Sequence, residues 1–205
     1  MKNIAILIIL LASVSLSTHA ATYVVDQDHT AITFKVRHLV GKVSGRFERF
    51  SGEFTYDGEK PSRWKTSATI DAASINTSTA KRDEHLRSSD FFDVKKFPTL
   101  TFTSKRIRDL ENNRAKMDGS LTIHGVTRPV TFDLEIGGTS SDPFGGPDKA
   151  AFTATTTINR HDFGLLPSPL IRLHSGRSIL RRHEAEFSGR IGNTDRKFGE
   201  GVARK

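Results

Sequence analysis

Residues 82–104, RDEHLRSSDFFDVKKFPTLTFTS, combine several local signals in one short segment. A charged helical turn comes first, followed by the aromatic pair Phe91–Phe92, a break at Pro98 and an alternating run. In that run Leu100 and Phe102 alternate with threonines, which is the period-two pattern of a strand with one apolar face. The segment offers charge and phenylalanine in place of a nucleophile or a metal cluster, so it favours a fold that encloses something apolar.

The same period-two alternation dominates the rest of the chain. Apolar residues take every second position in the runs 32–38, 117–123, 130–136 and 152–158. Further strands are predicted at 43–56, where Gly45 and Gly52 suggest bends or bulges, and at 64–75. Each alternating run has one apolar and one polar face, as an antiparallel sheet requires.

Turn and helix signals separate these strands. Loops are predicted at residues 56–61, at 124–129, where Pro129 opens the next strand, and at 137–147. One helix is predicted over residues 79–88, with a threonine as its N-cap. About seven strands and one short helix predict an all-β fold, either a sandwich or a closed barrel. A barrel of about eight strands can be filled by side chains or can hold one small ligand.

The start of the chain has the pattern of a targeting segment. Lys2 supplies a positive charge, residues 4–16 are apolar, and Thr18 and Ala20 place small residues before a cleavage point. The apolar run is shorter than the roughly 20 residues that cross a bilayer, which favours a signal peptide over a retained anchor. We therefore expect residues 1–20 to be removed, leaving 205 − 20 = 185 residues, enough for one domain. Cysteine is absent, so this exported domain must close by packing alone.

The sequence contains no motif for nucleophilic, phosphate-binding or zinc chemistry. Its histidines after residue 20 are scattered, and none lies at helical metal-ligand spacing from another. His38 falls on the apolar face of its strand. It is therefore either a core histidine or a polar group inside a cavity, and both interpretations stay open. Asp83, Glu84 and His85 are adjacent on the predicted helix and diverge, so we interpret Arg82 and Asp83 as helix anchors. We expect no catalytic residue, no metal and no cofactor.

Charge and aromatic content bear on the class of ligand. The formal net charge is +8, but it is too diffuse over most of the chain to indicate nucleic acid. Phenylalanine is the enriched aromatic residue, with 14 copies against one Trp and two Tyr. Phe has no polar group, so an interior lined by it suits a hydrocarbon better than a sugar or a nucleotide. The alternative, that these rings only fill the core, stays open at this point.

A series of short motifs follows between about residues 22 and 164. They are D-x-x-H at Asp26 and His29, F-x-V-x-H at 34–38, GRF at 45–47, SINT at 74–77, RDEHL at 82–86, DFFD at 90–93, FP at 97–98, FTS at 102–104, LTIHGVT at 121–127 and NRHDFG at 159–164. In these motifs and in their order the chain resembles the YceI-like family of exported lipid-binding proteins. Thr30 departs from the family pattern, which has serine at that position.

The resemblance implies an eight-stranded, antiparallel, lipocalin-like barrel with one short helix, in a periplasmic protein without catalytic residues. It also implies a long interior tunnel that holds an isoprenoid or another long-chain lipid. By alternation, the inward apolar positions that line this tunnel are Ile32, Phe34, Val36, Ile70, Phe102, Leu121, Ile123, Phe132, Leu134, Phe152 and Ile158. His38, Phe91 and Phe92 complete the predicted ligand-binding set. For the two phenylalanines, plugging a barrel end, lining a cavity and plain core packing stay open.

The resemblance stops after Gly164. Residues 165–205 carry nine Lys or Arg against four acids. One hypothesis is a shift of reading frame near Leu165, which would remove the last strand and leave a seven-stranded barrel with an open edge. In that case residues 183–191 could still pair as a poor strand. The rival hypothesis is a divergent basic tail that binds anionic lipid head groups.

The predicted divisions of the chain are therefore a signal peptide at residues 1–20, a YceI-like barrel at 21–164 and an atypical basic segment at 165–205. The leading functional prediction is a periplasmic carrier that holds an isoprenoid or a fatty-acyl lipid in its interior. The alternatives are a basic surface-binding module, which rests on the last segment, and an uncharacterised enzyme, which lacks a visible nucleophile or metal set. We expect transient contact with a membrane and no nucleic-acid partner, and we leave a homodimer open.

Overall fold

The structure is a computed structural model that describes residues 20–38, 41–58, 60–141, 143, 147–165, 184–191 and 194–196. For residues 37, 38, 184–191 and 194–196 only the backbone is described. The strands in these ranges are β1 (Ala21–Val25), β2 (Ala31–His38), β3 (Gly41–Phe47), β4 (Phe50–Tyr56), β5 (Lys65–Asp71), β6 (Ile75–Asn76), β7 (Thr99–Glu111), β8 (Arg114–Ile123), β9 (Val126–Ser140), β10 (Lys149–Asn159), β11 (Glu184–Ile191) and β12 (Thr194–Arg196). The helix α1 spans Ala80–Arg87, and short 3₁₀ segments span Pro61–Arg63, Ala72–Ser74 and Arg160–Phe163.

These strands fill eight positions of a closed antiparallel ring. Four positions each hold two consecutive strands placed end to end, namely β1 with β2, β3 with β4, β5 with β6, and β11 with β12. The position of β1 and β2 pairs with that of β3 and β4 on one side and with that of β11 and β12 on the other. From β3 and β4 the ring continues through β6 and β5, then β7, β8, β9 and β10, and returns to β11. The predicted eight-stranded antiparallel barrel is therefore confirmed.

The last position of the ring is filled by residues from the basic C-terminal segment. β11 pairs with β10 over eight residue pairs and with β2 over six. The last strand, which the sequence left in doubt, is therefore present, and the edge that a frame shift was expected to leave open between β10 and β2 is occupied. The weaker expectation, that residues 183–191 still pair as a strand, agrees with these ladders. Whether the segment arose by a frame shift or by divergence stays a prediction.

Side-chain alternation explains why the strands form a barrel wall. β8 shows it most clearly, because Ala115, Met117, Gly119, Leu121 and Ile123 are buried while the residues between them are partly exposed. Since successive side chains of a strand point to opposite faces, one face of β8 is apolar and packs inside the barrel. The other face is polar and meets water.

The predicted strand 43–56 breaks at a different place from the one expected. The chain leaves the ladder at Glu48, between β3 and β4, whereas Gly45 and Gly52 lie within strands. A Cβ at Gly45 would come within 2.4 Å of the Cζ atom of Phe34. Glycine is therefore required there by the close approach of a ring from β2, and the prediction of a bend at these glycines is wrong.

Two predicted loops are shorter in the structure. β9 begins directly after the turn His124–Gly125, so Pro129 lies inside β9 and does not open it. Pro129 is tolerated because the ladder between β9 and β10 ends at Asp133, so no described strand pairs with this part of β9 on that side. At its other end β9 continues to Ser140, so part of the predicted loop 137–147 is strand.

α1 forms where the sequence predicted a helix, and it is tied to the chain that precedes it. Asp83 is only 6% exposed, and its Oδ1 accepts hydrogen bonds from the backbone N (2.9 Å) and the Oγ1 of Thr77. Arg87 donates to the carbonyl oxygens of Ala73 and Ile75, each at 2.7 Å. These bonds confirm that charged residues of α1 act as anchors. In the described part of the chain no helix is long and apolar enough to cross a membrane.

Candidate functional site: the barrel interior

An apolar cluster, which we call the interior cluster, fills one half of the barrel. It lies toward the end where β10 passes into the segment Arg160–Phe163, which we call the Arg160 end. Its buried members are Phe34, Phe47, Phe50, Ile70, Ala72, Ile75, Phe92, Leu100, Phe102, Met117, Leu121, Ile123, Ile158, Phe163 and Leu165. Further apolar side chains that pack against it include Ile32, Val36, Phe91 and Phe132. The cluster contains no charged side chain.

Aromatic rings connect neighbouring strands within the interior cluster. The ring centroids of Phe34 and Phe47 are 5.6 Å apart, and those of Phe47 and Phe92 are 6.1 Å apart with an interplanar angle of 82°. Phe102 and Phe132 lie 4.9 Å apart at 69°. Tilted and edge-to-face arrangements of this kind are the favoured contacts between aromatic rings. The rings come from β2 and β3, from the segment after α1, and from β7 and β9 on either side of β8, so they pack along the inner wall of the barrel.

A second apolar cluster, the Trp64 cluster, fills the opposite end of the barrel. Its members are Ala21, Tyr23, Phe54, Trp64, Ala115, Leu134, Ile136, Ala150 and Phe152. The rings of Phe54 and Phe152 lie 4.1 Å apart, and Trp64 Nε1 donates a hydrogen bond to the carbonyl oxygen of Asp57. Ile107 and Ala154 pack against both clusters and mark their boundary. Aromatic packing therefore closes the Trp64 end.

The structure places most of the predicted lining residues together. Those in the interior cluster or packed against it are Ile32, Phe34, Val36, Ile70, Phe91, Phe92, Phe102, Leu121, Ile123, Phe132 and Ile158. Leu134 and Phe152 belong instead to the Trp64 cluster. The side chain of His38 lies outside the described residues. That any of these side chains binds a ligand stays a prediction.

Several members of the interior cluster were not in the predicted ligand-binding set. They are Phe47, Phe50, Ala72, Ile75, Leu100, Met117, Phe163 and Leu165. Alternation had placed Leu100 and Met117 on the apolar faces of their strands, but they were left out of that set. The residues beside the break between β3 and β4, and those in or after a 3₁₀ segment, follow no period of two. For these the sequence carries no comparable signal.

The Arg160 end places a cation beside the interior cluster. The guanidinium carbon of Arg160 lies 5.9 Å from the ring centroid of Phe91. Burial lowers the pKa of this guanidinium. Nearby, Phe97 packs edge-on against His124 with centroids 4.5 Å apart, and Arg128 donates to a backbone carbonyl of the 3₁₀ segment at 3.0 Å. These contacts fasten the turn between β8 and β9 to the end of β10.

The barrel wall carries a shallow open groove of about 420 Å³. It is lined by Lys105, Arg106, Asp118, Gly119, Pro129, Val130 and Thr131. Asp118 accepts hydrogen bonds from Arg108, Arg106 and Thr131, and these hold the pKa of its carboxyl well below the ordinary value. Because these charges satisfy one another and the groove is open to water, we assign it no ligand.

Two of the buried polar side chains near the interior, Ser74 and Thr156, have structural partners. Ser74 Oγ donates to the carbonyl oxygen of Asp71 at 2.7 Å, and Thr156 Oγ1 donates to that of Thr131 at 2.8 Å. Within the described residues no three His, Asp or Glu side chains are grouped as metal ligands would be. These groups stabilise the wall of the barrel and do not converge on a common point inside it.

Comparisons of the sequence with known proteins agree with the fold. A family model described as the YceI-like domain matches residues 23–183. A UPF0312 protein of Shewanella baltica is 43% identical over 153 residues, which cover 73% of this chain and 80% of that protein. The family match therefore extends beyond Gly164, where the resemblance in short motifs ends.

Comparisons of the structure lead to the same group of proteins. The YCEI protein of Campylobacter jejuni has a TM-score of 0.62 and 31% identity, covering 80% of this chain and 91% of that one. A polyisoprenoid-binding domain of Saccharophagus degradans, implicated in plant cell wall breakdown, has a TM-score of 0.58 and covers 85% of this chain and 99% of that one. At 15% identity this second likeness shows the fold alone.

Proposed function

Because this chain belongs to the family of YceI-like domains, we propose that it binds one long-chain lipid, an isoprenoid or a fatty-acyl chain, inside its barrel. The observation that carries the proposal is the interior cluster, in which aliphatic and phenylalanine side chains face one another across the barrel. Such a surface offers dispersion contacts and lacks the polar groups that orient a sugar or a nucleotide. The fold shared with the polyisoprenoid-binding domain of Saccharophagus degradans supports the same class of ligand.

The energetics favour a long chain that is enclosed over most of its length. Transfer of one CH₂ group from water to an apolar site contributes about 0.8 kcal/mol, so a five-carbon isoprene unit contributes roughly 4 kcal/mol. Several units would exceed the practical limit of about −20 kcal/mol if water were the competing environment. The relevant competitor is a bilayer, in which the chain is already dry. The protein therefore has to surround the chain in order to compete for it.

The role that fits this binding mode is carriage or storage of the lipid in the periplasm, without chemistry on it. Support for export comes from the signal-peptide pattern of residues 1–20. A carrier must meet a membrane when it loads or releases its lipid. The excess of basic residues after Leu165 favours transient contact with anionic head groups.

A second candidate function is a basic module that binds anionic lipid surfaces. The observation in its favour is the charge of residues 165–205, nine Lys or Arg against four acids. β11 and β12 lie in that segment and belong to the barrel ring. Through β11 and β12 the segment is part of the barrel wall as well as a source of charge. Surface binding therefore accompanies the carrier role and does not replace it.

Native mass spectrometry of protein freshly purified from the periplasm tests the carrier proposal. We expect an excess mass equal to one long-chain lipid, which organic extraction releases and identifies. The same spectrum reports whether two chains pair. If no lipid is extracted, and the purified protein also fails to bind added isoprenoid or fatty-acyl lipids, the proposal is wrong.

A pair of matched substitutions in β10 tests the location of the lipid. Ala154 is partly buried at the boundary of the two clusters, whereas Ala151 is exposed on the outer face of the same strand. Ala154→Leu adds volume inside the barrel, so we expect the bound lipids to shift toward shorter chains. Ala151→Leu adds the same volume outside and leaves the lipid mass distribution unchanged. Identical distributions in both variants would contradict an interior site.

A further inference from the structure

Arg160 is held at the mouth of the barrel by its own segment. It follows β10, in which Ile158, two residues earlier, is buried in the interior cluster. The residue between them has extended backbone, so Arg160 continues the inward phase of the strand. On the other side Phe163 and Leu165, which are 2% and 4% exposed, belong to the same cluster. The segment that carries Arg160 is therefore fixed to the apolar interior before and after it.

The guanidinium of Arg160 lacks the partners that a half-buried cation needs. In the described part of the chain, its Nε is buried without a hydrogen-bond acceptor, and no carboxylate forms an ion pair with it. Among the described residues, the face of the Phe91 ring lies close to this cation, with the guanidinium carbon 5.9 Å from the centroid. A cation over an aromatic ring is stabilised, but the ring does not replace a hydrogen-bond acceptor.

The other half-buried arginine of this region shows what a structural role looks like. Arg87 donates from Nε and Nη2 to two backbone carbonyl oxygens, both at 2.7 Å. Arg49, on the outer surface, forms an ion pair with Asp71 at 2.7 Å. Arg160 differs from both, because it combines partial burial with an unsatisfied donor. Burial without a partner also agrees with the lowered pKa of its guanidinium.

We propose that Arg160 binds the oxyanion head group, a phosphate or a carboxylate, of the lipid whose chain lies in the interior cluster. This inference rests on the proposed function and names the class of its ligand as an anionic amphiphile. The head group stands beside Phe91 at the mouth, where Arg160 supplies charge and hydrogen bonds, while the chain extends inward. Arginine suits this task because its planar guanidinium matches the oxygens of phosphate and carboxylate groups.

Equilibrium dialysis with two labelled lipids of identical chain, geranylgeranyl phosphate and geranylgeraniol, tests the inference. We expect the unmodified protein to bind the phosphate about tenfold more tightly than the alcohol, a difference of about 1.4 kcal/mol. Arg160→Met removes this preference and leaves the affinity for the alcohol unchanged. Arg160→Lys, which keeps a positive charge, retains part of the preference. Arg49→Met, an arginine variant on the outer surface, behaves as the unmodified protein does.

The outcomes separate this inference from the proposed function. If both lipids bind equally, or if Arg160→Met keeps the preference for phosphate, the role of Arg160 is wrong and interior lipid binding stands. If Arg160→Met lowers the affinity for both lipids by the same factor, Arg160 acts on the fold and the inference also fails. If neither lipid binds the unmodified protein, the proposed function fails first. Inorganic phosphate in large excess should leave the labelled lipid phosphate bound, and its displacement would overturn a lipid head-group site.

Discussion

Gly119 of β8 has no Cβ atom, and its absence leaves room for the ring of Phe102 from β7. Gly119 lies on the inward face of β8, and a Cβ there would come within 2.4 Å of the Cε2 atom of Phe102. It would also come within 2.6 Å of the carbonyl oxygen of Thr103, which is backbone and cannot swing away. The ring of Phe102 therefore occupies the space that any other residue at position 119 would need, and from there it contacts Phe132.

Gly119→Ala should therefore destabilise the protein by about 1–3 kcal/mol, the usual cost of an overpacked interior. Urea denaturation measures the change in the free energy of unfolding. Gly58→Ala is the matched control, because a Cβ at Gly58 would lie 3.8 Å from its nearest neighbour, Tyr56 Oη. We expect the control to change stability by less than about 0.5 kcal/mol. Equal stabilities of the two variants would show that the ring of Phe102 can move away from the new Cβ at little cost in free energy.

The helix α1 shows how one short element is held without a deep apolar face. Leu86 packs against the interior cluster, and the other contacts that fix the helix are polar and directed mainly at backbone groups. Asp83 accepts two hydrogen bonds from Thr77, and Arg87 donates two to the carbonyl oxygens of the segment before the helix. The helix in turn positions Phe92, which packs into the interior cluster after the chain leaves α1. The polar bonds that anchor α1 thus support the apolar packing of Phe92 in the segment that follows it.

Asp83→Ala should lower the free energy of unfolding by about 1–3 kcal/mol, because it leaves the backbone N–H of Thr77 buried and unpaired. Chemical denaturation compares this variant with Glu84→Ala, in which an exposed carboxylate of the same helix is removed. We expect the second variant to stay within about 0.5 kcal/mol of the unmodified protein. A similar loss in both variants would indicate that helix propensity or charge, and not the anchor, is responsible.

At the scale of the whole molecule, closure of the barrel depends on pairing between strands that are far apart in the chain. β11 closes the ring between β10 and β2, although it lies in the segment where the short family motifs have ended. Closure removes the free edges that an open sheet would expose and separates the interior cluster from water. Retention of a lipid inside the barrel therefore depends on the least typical part of the sequence.

Ser188→Pro tests that closure. Ser188 pairs with Thr155 of β10 and with Thr33 of β2, so a proline there removes a ladder hydrogen bond wherever its N–H pointed. We expect a loss of stability of about 3 kcal/mol or more, measured by urea denaturation, and faster release of bound lipid. Ser188→Ala at the same position keeps the backbone donor and should leave both properties nearly unchanged. A proline variant as stable as the alanine variant would show that the barrel does not need β11.

Prediction from the sequence succeeded where the signal is local and periodic. Inward positions such as Phe34, Phe102 and Leu121 follow from alternation, and the helix followed from its charged turn. The predicted N-cap Thr79 stands at the start of the helix but its side chain makes no capping hydrogen bond. The break between β3 and β4 escaped prediction because the chain changes phase there without a turn residue. Arg160 escaped because it stands in a 3₁₀ segment, where a charged residue looks like an ordinary surface residue until its surroundings are known.

The sequence by itself determined which face of each strand is apolar, that the wall is antiparallel β, and that phenylalanine fills the space within. These properties depend only on residues one or two positions apart. The tertiary structure alone decided that the apolar residues divide into two clusters, that β11 closes the ring, and that Arg160 stands beside Phe91 without an ion-pair partner among the described residues. These facts depend on strand register between segments far apart in the chain, since the register decides which apolar faces meet and what surrounds a charge.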